Sequence, residues 1–239
     1  MRSLVFLVSL YAGMTAIGLI ALPAALFHQG PALWAVRVWA RWAMFCLRRI
    51  GGVRLRLEGL EHIPPGPTLI ACKHQSNLET IAAFLAVPDP AVVLKRELLA
   101  MPLYGWFAQR TGMIVVDREA HAKALRGMVH EAKQRLAEGR HVVIFPEGTR
   151  KAPGEPPDYK PGVAALYREL DVACVPAALN SGVFWGEGGR LLARGETVIR
   201  FLPPIPAGLP RREFMMRLEA EIEGASAELL AQAPAVATT

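Results

Sequence analysis

A chain of 239 residues has room for one sizeable core, and no linker sets off a second compact unit. Its hydrophobic fraction of 52% and mean hydropathy of +0.26 exceed the roughly 45–50% apolar content of ordinary soluble domains, so membrane contact is expected. A net charge of +6 suits a phosphate-rich partner, nucleic acid or anionic lipid, while three cysteines without C-x-x-C spacing exclude a disulfide framework and a cysteine zinc site.

From Leu4 to Phe27 no side chain is charged. A helix of that length runs about 36 Å, enough to cross a hydrocarbon core of about 30 Å. Pro23 near its end fits a kink or stop, so a re-entrant hairpin is as acceptable as a straight span. A secretory signal competes, with Arg2 ahead of the run and small residues at Ala21, Ala24 and Ala25, but the run is long for a signal core. The next segment predicts a helix from about Pro31, with Arg37, Arg41 and Arg48 on one face and Trp34, Trp39 and Trp42 as headgroup-level anchors. An ordinary amphipathic helix packed on the domain is the alternative reading. The positive-inside tendency puts this side in the cytoplasm, giving an inner-membrane protein whose globular part faces the cytoplasm. The expected division is 1–50 anchoring helices, 51–232 globular domain and 233–239 disordered tail.

Beyond residue 50, short β-branched runs alternate with helical ones, the pattern of an α/β domain with a mostly parallel or mixed central sheet flanked by helices. Strands are expected at 53–57, 68–72, 91–94, 113–116, 141–145, 173–178 and 198–202. Helices are expected at 78–87, 102–111, 120–138, 162–170 and 211–230. The segment 151–161, with Pro153, Pro156, Pro157 and Pro161, reads as an exposed loop able to lie over a site.

Between two apolar runs stands K-H-Q-S-N-L-E-T, residues 73–80. A strand ending near Cys72 and a helix starting near Asn77 put His74 on a turn at the sheet's carboxyl edge, where α/β sheets bind ligands. Glu79 in the first helical turn can accept the imidazole N–H, leaving the other nitrogen to take a proton from a hydroxyl. Ser76 is a nucleophile in principle, yet the same base can activate a substrate hydroxyl. The competing reading makes Ser76 or Asn77 a helix cap, Glu79 a favourable charge at the helix start and His74 incidental. Further along, H-V-V-I-F-P-E-G-T-R ends a strand in Glu147, Gly148, Thr149 and Arg150, where glycine permits close approach and arginine can fork onto a phosphate. G-M-I-V-V-D-R places Asp117 and Arg118 at another strand end, and the strand at 91–94 ends in Lys95. Basic residues thus gather at what reads as one edge, suiting an anionic ligand. V-P-A-A-L-N-S-G at 175–182 can wall the same site. No P-loop, H-E-x-x-H, paired-cysteine spacing or nucleic-acid recognition motif occurs.

In order and spacing these four stretches resemble the glycerolipid acyltransferase family, over about half the chain. The resemblance implies that His74 is the general base on the free sn-2 hydroxyl of lysophosphatidic acid and that Glu79 orients it. The hydroxyl then attacks an acyl thioester directly, with no acyl-enzyme on Ser76. It further implies a phosphate grip on Lys95, Arg118 and Arg150, and a glycerol-phosphate pocket shaped by Glu147, Gly148 and Thr149. The N-terminal segment resembles the family's membrane-embedded hairpin. Partners would be lysophosphatidic acid, acyl-CoA or acyl carrier protein, and membrane lipids, with no nucleic acid; the thioester is a co-substrate and no cofactor or metal is expected. The family more often carries aspartate at the acid, so Glu79→Asp is expected to keep substantial activity and Glu79→Gln to lose most. Oxyanion stabilisation is expected from backbone N–H groups of the 74–79 turn, with Lys95 nearby. Acylation of another lysolipid, such as a lyso-ornithine lipid, and anionic-lipid binding without turnover are the competing functions.

Overall fold

The computed structural model describes residues 1–117 and 121–233. Arg118, the first residue of the helix expected at 120–138, and all but the first residue of the expected tail lie outside the described residues.

The chain opens with a helical hairpin, α1 (Arg2–Phe27) and α2 (Gln29–Cys46), broken only at His28, whose extended backbone turns the chain. Gly13 allows the close approach: a methyl there would sit 2.1 Å from Trp42 Nε1. The indoles of Trp39 and Trp42 donate instead to the carbonyls of Leu10 and Ser9, at 3.1 and 2.9 Å. By length and composition α1 can cross a membrane. Leu4, Val8, Leu19, Ile20 and Phe27 leave one face of it exposed and apolar, and Trp34, Trp42 and Phe45 continue that surface on α2.

The other face of α1 is fastened to the domain along its length. Arg2 donates to Leu191 O, Leu191 N–H donates to Ser3 Oγ, Phe6 meets Trp185 edge-on at 4.9 Å, and Arg110 Nε donates to Ala25 O at 2.8 Å.

A π-helical turn, Leu47–Gly51, leads into β1 (Val53–Glu58). There follow β2 (Leu69–Cys72), α3 (Leu78–Ala86), β3 (Pro90–Lys95), α4 (Tyr104–Arg110), β4 (Ile114–Val116), α5 (His121–Ala137) and β5 (His141–Ile144), then α6 (Pro161–Leu170), β6 (Cys174–Leu179), β7 (Gly195–Phe201) and α7 (Arg211–Ala231). The seven strands form one sheet in the order β1-β7-β6-β2-β5-β3-β4. From β6 to β4 all neighbours are parallel; β7 pairs antiparallel with β6 and carries β1 parallel to itself, so the sheet is mixed.

Period-two alternation divides the sheet's side chains between two cores. Ile70, Cys72, Val92, Val143 and Val175 face α2, α3 and the hairpin, while Leu69, Ala71, Val142 and Ile144 face Met128 and Ala132 of α5, Val163 of α6 and Phe214 of α7. β2 and β5, buried on both faces, read as unbroken apolar runs for that reason. Because β2, β3, β4, β5 and β6 point the same way, the residues after each strand converge on one edge.

Candidate active site

The β2–α3 turn is built around the Glu79 carboxylate. Its Oε1 accepts from His74 Nδ1 (2.9 Å), Gln75 N–H (2.6 Å) and Ser76 N–H (2.6 Å); its Oε2 accepts from the Ser76 and Ser181 hydroxyls at 2.8 and 2.7 Å. An ionised carboxylate only accepts, so Nδ1 carries the proton and Nε2 is the nitrogen left for the cavity. The imidazole stacks on Phe145 at 4.2 Å and 22°, which holds its plane. Ser76 caps α3 by accepting the Leu78 N–H at 3.0 Å while its own proton is directed at the carboxylate. It is 1% exposed and is no nucleophile in this arrangement; Ser76 caps the helix while the Glu79 carboxylate is bonded to the His74 ring.

A second carboxylate holds the same turn from below. Glu147, fully buried, accepts the His74 backbone N–H on Oε2 at 2.9 Å and Lys73 Nζ on Oε1 at 3.0 Å. Lys73, 2% exposed, donates also to both oxygens of Glu223 on α7, at 2.7 and 2.8 Å, and the Tyr159 hydroxyl donates to Glu223 Oε1 at 2.8 Å. Removing one partner from such a buried pair costs about 3–5 kcal/mol, because the other charge is left uncompensated. Burial holds the Glu147 carboxyl above its usual range against the pull of Lys73 and the His74 N–H. Burial and the neighbouring Glu223 hold the Tyr159 phenol far above its own, so it stays a donor.

Glu147 lines the cavity as expected of a residue that shapes the pocket, and both its oxygens are engaged by Lys73 and the His74 main chain. One expectation, that of the oxyanion donors, is corrected here in part. The N–H groups of His74, Gln75 and Ser76 are taken by carboxylates, so they are closed to an oxyanion. Neither Lys73 nor Ser181 was singled out from sequence. A lysine on the end of a buried strand in A-C-K-H was the available signal, since a buried ammonium requires partners.

His74 lines a cavity of about 1600 Å³ that reaches from the carboxyl edge of the sheet to the hairpin. Leu10, Met14, Trp39, Ile81, Phe84 and Phe107 form its apolar wall. At the polar end, Lys95, Gly148, Thr149 and Arg150 line the same space, with Lys95, Thr149 and Arg150 exposed. Gly148 turns the chain there with φ +67°, a left-handed conformation that a side chain disfavours, and its N–H donates to Phe145 O at 2.9 Å. Arg150 donates to Asn77 Oδ1 at the start of α3. The proline-rich 151–160 segment does lie over the site, with Lys151, Pro153 and Lys160 on the cavity and Pro153 against Gly182. Asp117 pairs with Arg96 at 2.7 Å. Among the described residues no group of His, Cys, Asp and Glu is arranged to hold a metal.

The Acyltransferase profile matches residues 54–180, more than half of the chain. The chain belongs to the Acyltransferase family. A 1-acyl-sn-glycerol-3-phosphate acyltransferase of Pseudomonas aeruginosa is 36% identical over 154 residues, covering 64% of this chain and 60% of that protein. The human 1-acyl-sn-glycerol-3-phosphate acyltransferase alpha is 31% identical over 163 residues, covering 67% of this chain and 58% of that protein. These matches therefore span about three fifths of the relatives' own lengths. The crystal structure of the 1-acyl-sn-glycerophosphate (LPA) acyltransferase from Thermotoga maritima superposes with a TM-score of 0.81 over 98% of this chain and 100% of that one, at 19% identity. At that identity the likeness carries the acyltransferase fold, N-terminal helices included.

The Glu79 carboxylate also couples stability to pH. Burial alone would raise the Glu79 carboxyl; the hydrogen bond and charge of His74, the Ser76 N–H and the Ser181 hydroxyl outweigh it and hold it below its ordinary 4.5. A depressed folded-state pKa contributes stability that is fully present above 4.5 and is lost as pH falls through the lower folded value. Glu147, held above its range, contributes with the opposite sign. The difference between wild type and Glu79→Gln isolates the first term. Denaturant unfolding is expected to give a gap of roughly 1–3 kcal/mol at neutral pH that narrows below pH 4.5. A gap independent of pH would mean that the Glu79 charge is not what the cradle stabilises.

Proposed function

We propose that this chain transfers an acyl group from a thioester to the sn-2 hydroxyl of 1-acyl-glycerol-3-phosphate, giving phosphatidic acid. The observation that carries the reading is His74, held at Nδ1 by Glu79, at the junction of an apolar cavity and a basic rim. The names of the relatives support the acceptor. His74 Nε2 takes the hydroxyl proton as the oxygen attacks the thioester carbonyl, and the resulting imidazolium, paired with Glu79, returns it to the departing thiolate. No covalent enzyme intermediate is required. Lys95, a member of the expected oxyanion set, lines the cavity and is exposed. The donor is acyl-CoA or acyl carrier protein, and no cofactor takes part. The exposed apolar face of the hairpin supports membrane association, and the proposed placement is the cytoplasmic side of the inner membrane, with acyl chains entering the cavity from the bilayer.

Arg150 and Lys95, with Arg118, are proposed to hold the acceptor phosphate. Charge-assisted hydrogen bonds of this kind contribute about 1.5–3 kcal/mol each. Arg150→Ala is therefore expected to lower the preference for lysophosphatidic acid over neutral 1-monoacylglycerol by roughly 10- to 100-fold in kcat/KM. Comparing two acceptors with one donor cancels any contact between Arg150 and the phosphates of CoA. An unchanged ratio would remove the phosphate role, and a wild type that prefers a lysolipid without phosphate would displace the acceptor itself.

A further inference from the structure

The turn bearing His74 is tied from beneath to α7, the last helix, which lies outside the stretch matched by the family profile. The tie runs from the His74 N–H through Glu147 and Lys73 to Glu223, and Tyr159 completes it. It bonds to the His74 main chain, whereas the ring nitrogen Nδ1 bonds to Glu79, so the tie takes no part in the proposed proton transfer. It fixes the main chain from which the ring projects, while Glu79 fixes the ring. Each link joins a different element: Lys73 follows β2, Glu147 follows β5, Tyr159 precedes α6 and Glu223 sits on α7. Lys73 lies between two carboxylates in a site where it and Glu147 are almost wholly closed to water, so the ammonium and the two acids set one another's positions. We propose that Lys73 and Glu223 are positioning residues for His74, acting through Glu147.

This inference rests on the proposed role of His74 as general base, and its test separates the two. Lys73→Met leaves Glu147 without its cation and frees the acceptor of the His74 N–H. It is expected to lower kcat for acyl transfer roughly 10- to 100-fold with KM for both substrates within about twofold, since the substrate contacts on Lys95 and Arg150 are untouched. Glu223→Gln, at a partly exposed position that the fold tolerates better, is expected to act in the same direction and less strongly. The double variant Lys73→Met/Glu147→Gln restores a neutral pair whose amide oxygen still accepts the N–H. It should recover kcat above the Lys73→Met level, whereas independent roles would multiply the two losses. The second readout needs no turnover: in protein labelled at histidine, the downfield proton resonance of the His74 Nδ1–H···Glu79 hydrogen bond should shift or broaden in Lys73→Met. An unchanged kcat and resonance in both single variants would overturn the positioning role, and should Lys73→Met fail to fold, Glu223→Gln decides alone. A wild type that makes no phosphatidic acid, with a resonance that still responds to Lys73→Met, would instead remove the functional reading and leave the positioning in place.

Discussion

In membranes bearing His74→Ala, transfer of labelled oleoyl from its CoA thioester to lysophosphatidic acid is expected to fall by roughly 10²–10⁴-fold, the range over which a positioned general base contributes. The size follows from the absence of a substitute. Glu79 and Glu147 are each fully engaged by fixed donors, Ser76 points its proton at a carboxylate, and Lys95 and Arg150 are cations without a basic lone pair. An alanine at 74 leaves the cavity and its basic rim in place, so acceptor binding should persist while turnover stops. Parallel reactions with acyl carrier protein as donor identify the thioester used. Phosphatidic acid formed by wild type and variant alike would remove His74 as the base; none formed by either, with both donors, would remove the proposed reaction.

The next largest effect is expected at Glu79. Glu79→Gln exchanges an acceptor that takes five hydrogen bonds for an amide that must turn an NH₂ toward some of the same donors, and it removes the charge facing the imidazolium. A loss of about 10²-fold or more in kcat is expected, with a smaller change in KM. Glu79→Asp keeps the charge but retracts the carboxylate by one methylene from a cradle fixed on both oxygens. It should fall below wild type and stay at least about tenfold above glutamine, because the charge contributes more than any one hydrogen bond. Equal rates for the glutamine variant and wild type would remove the orienting role.

Strands and helices were legible because burial writes its period into the chain: the unbroken apolar runs of β2 and β5 mark strands covered on both faces. Ends were less so. The helix expected from 102 begins at Tyr104 because the Tyr104 N–H donates to Pro102 O across Leu103, a γ-turn with φ +64° that no propensity announces. The His74–Glu79 pair was legible because its partners stand five residues apart on one turn. Glu147 was visible as a motif residue, but its use was not, since its partners Lys73 and His74 lie 74 and 73 residues away. Ser181 reaches Glu79 across 102 residues and Glu223 reaches Lys73 across 150. Only the parallel arrangement of strands brings such groups to one edge, and neither spacing nor composition carries that information.

The hairpin fastened along the domain bears on how such a protein can be altered. Its inner residues Leu10, Met14 and Trp39 also line the cavity that holds His74. Anchor and vessel are therefore one part. Exchanging α1 and α2 for an unrelated membrane anchor would keep the chain at the bilayer yet uncover the chamber, strip the supports at Leu191 and Arg110, and leave His74 facing solvent. The apolar hairpin is thus constrained by the cavity that it walls, and the two can change only together.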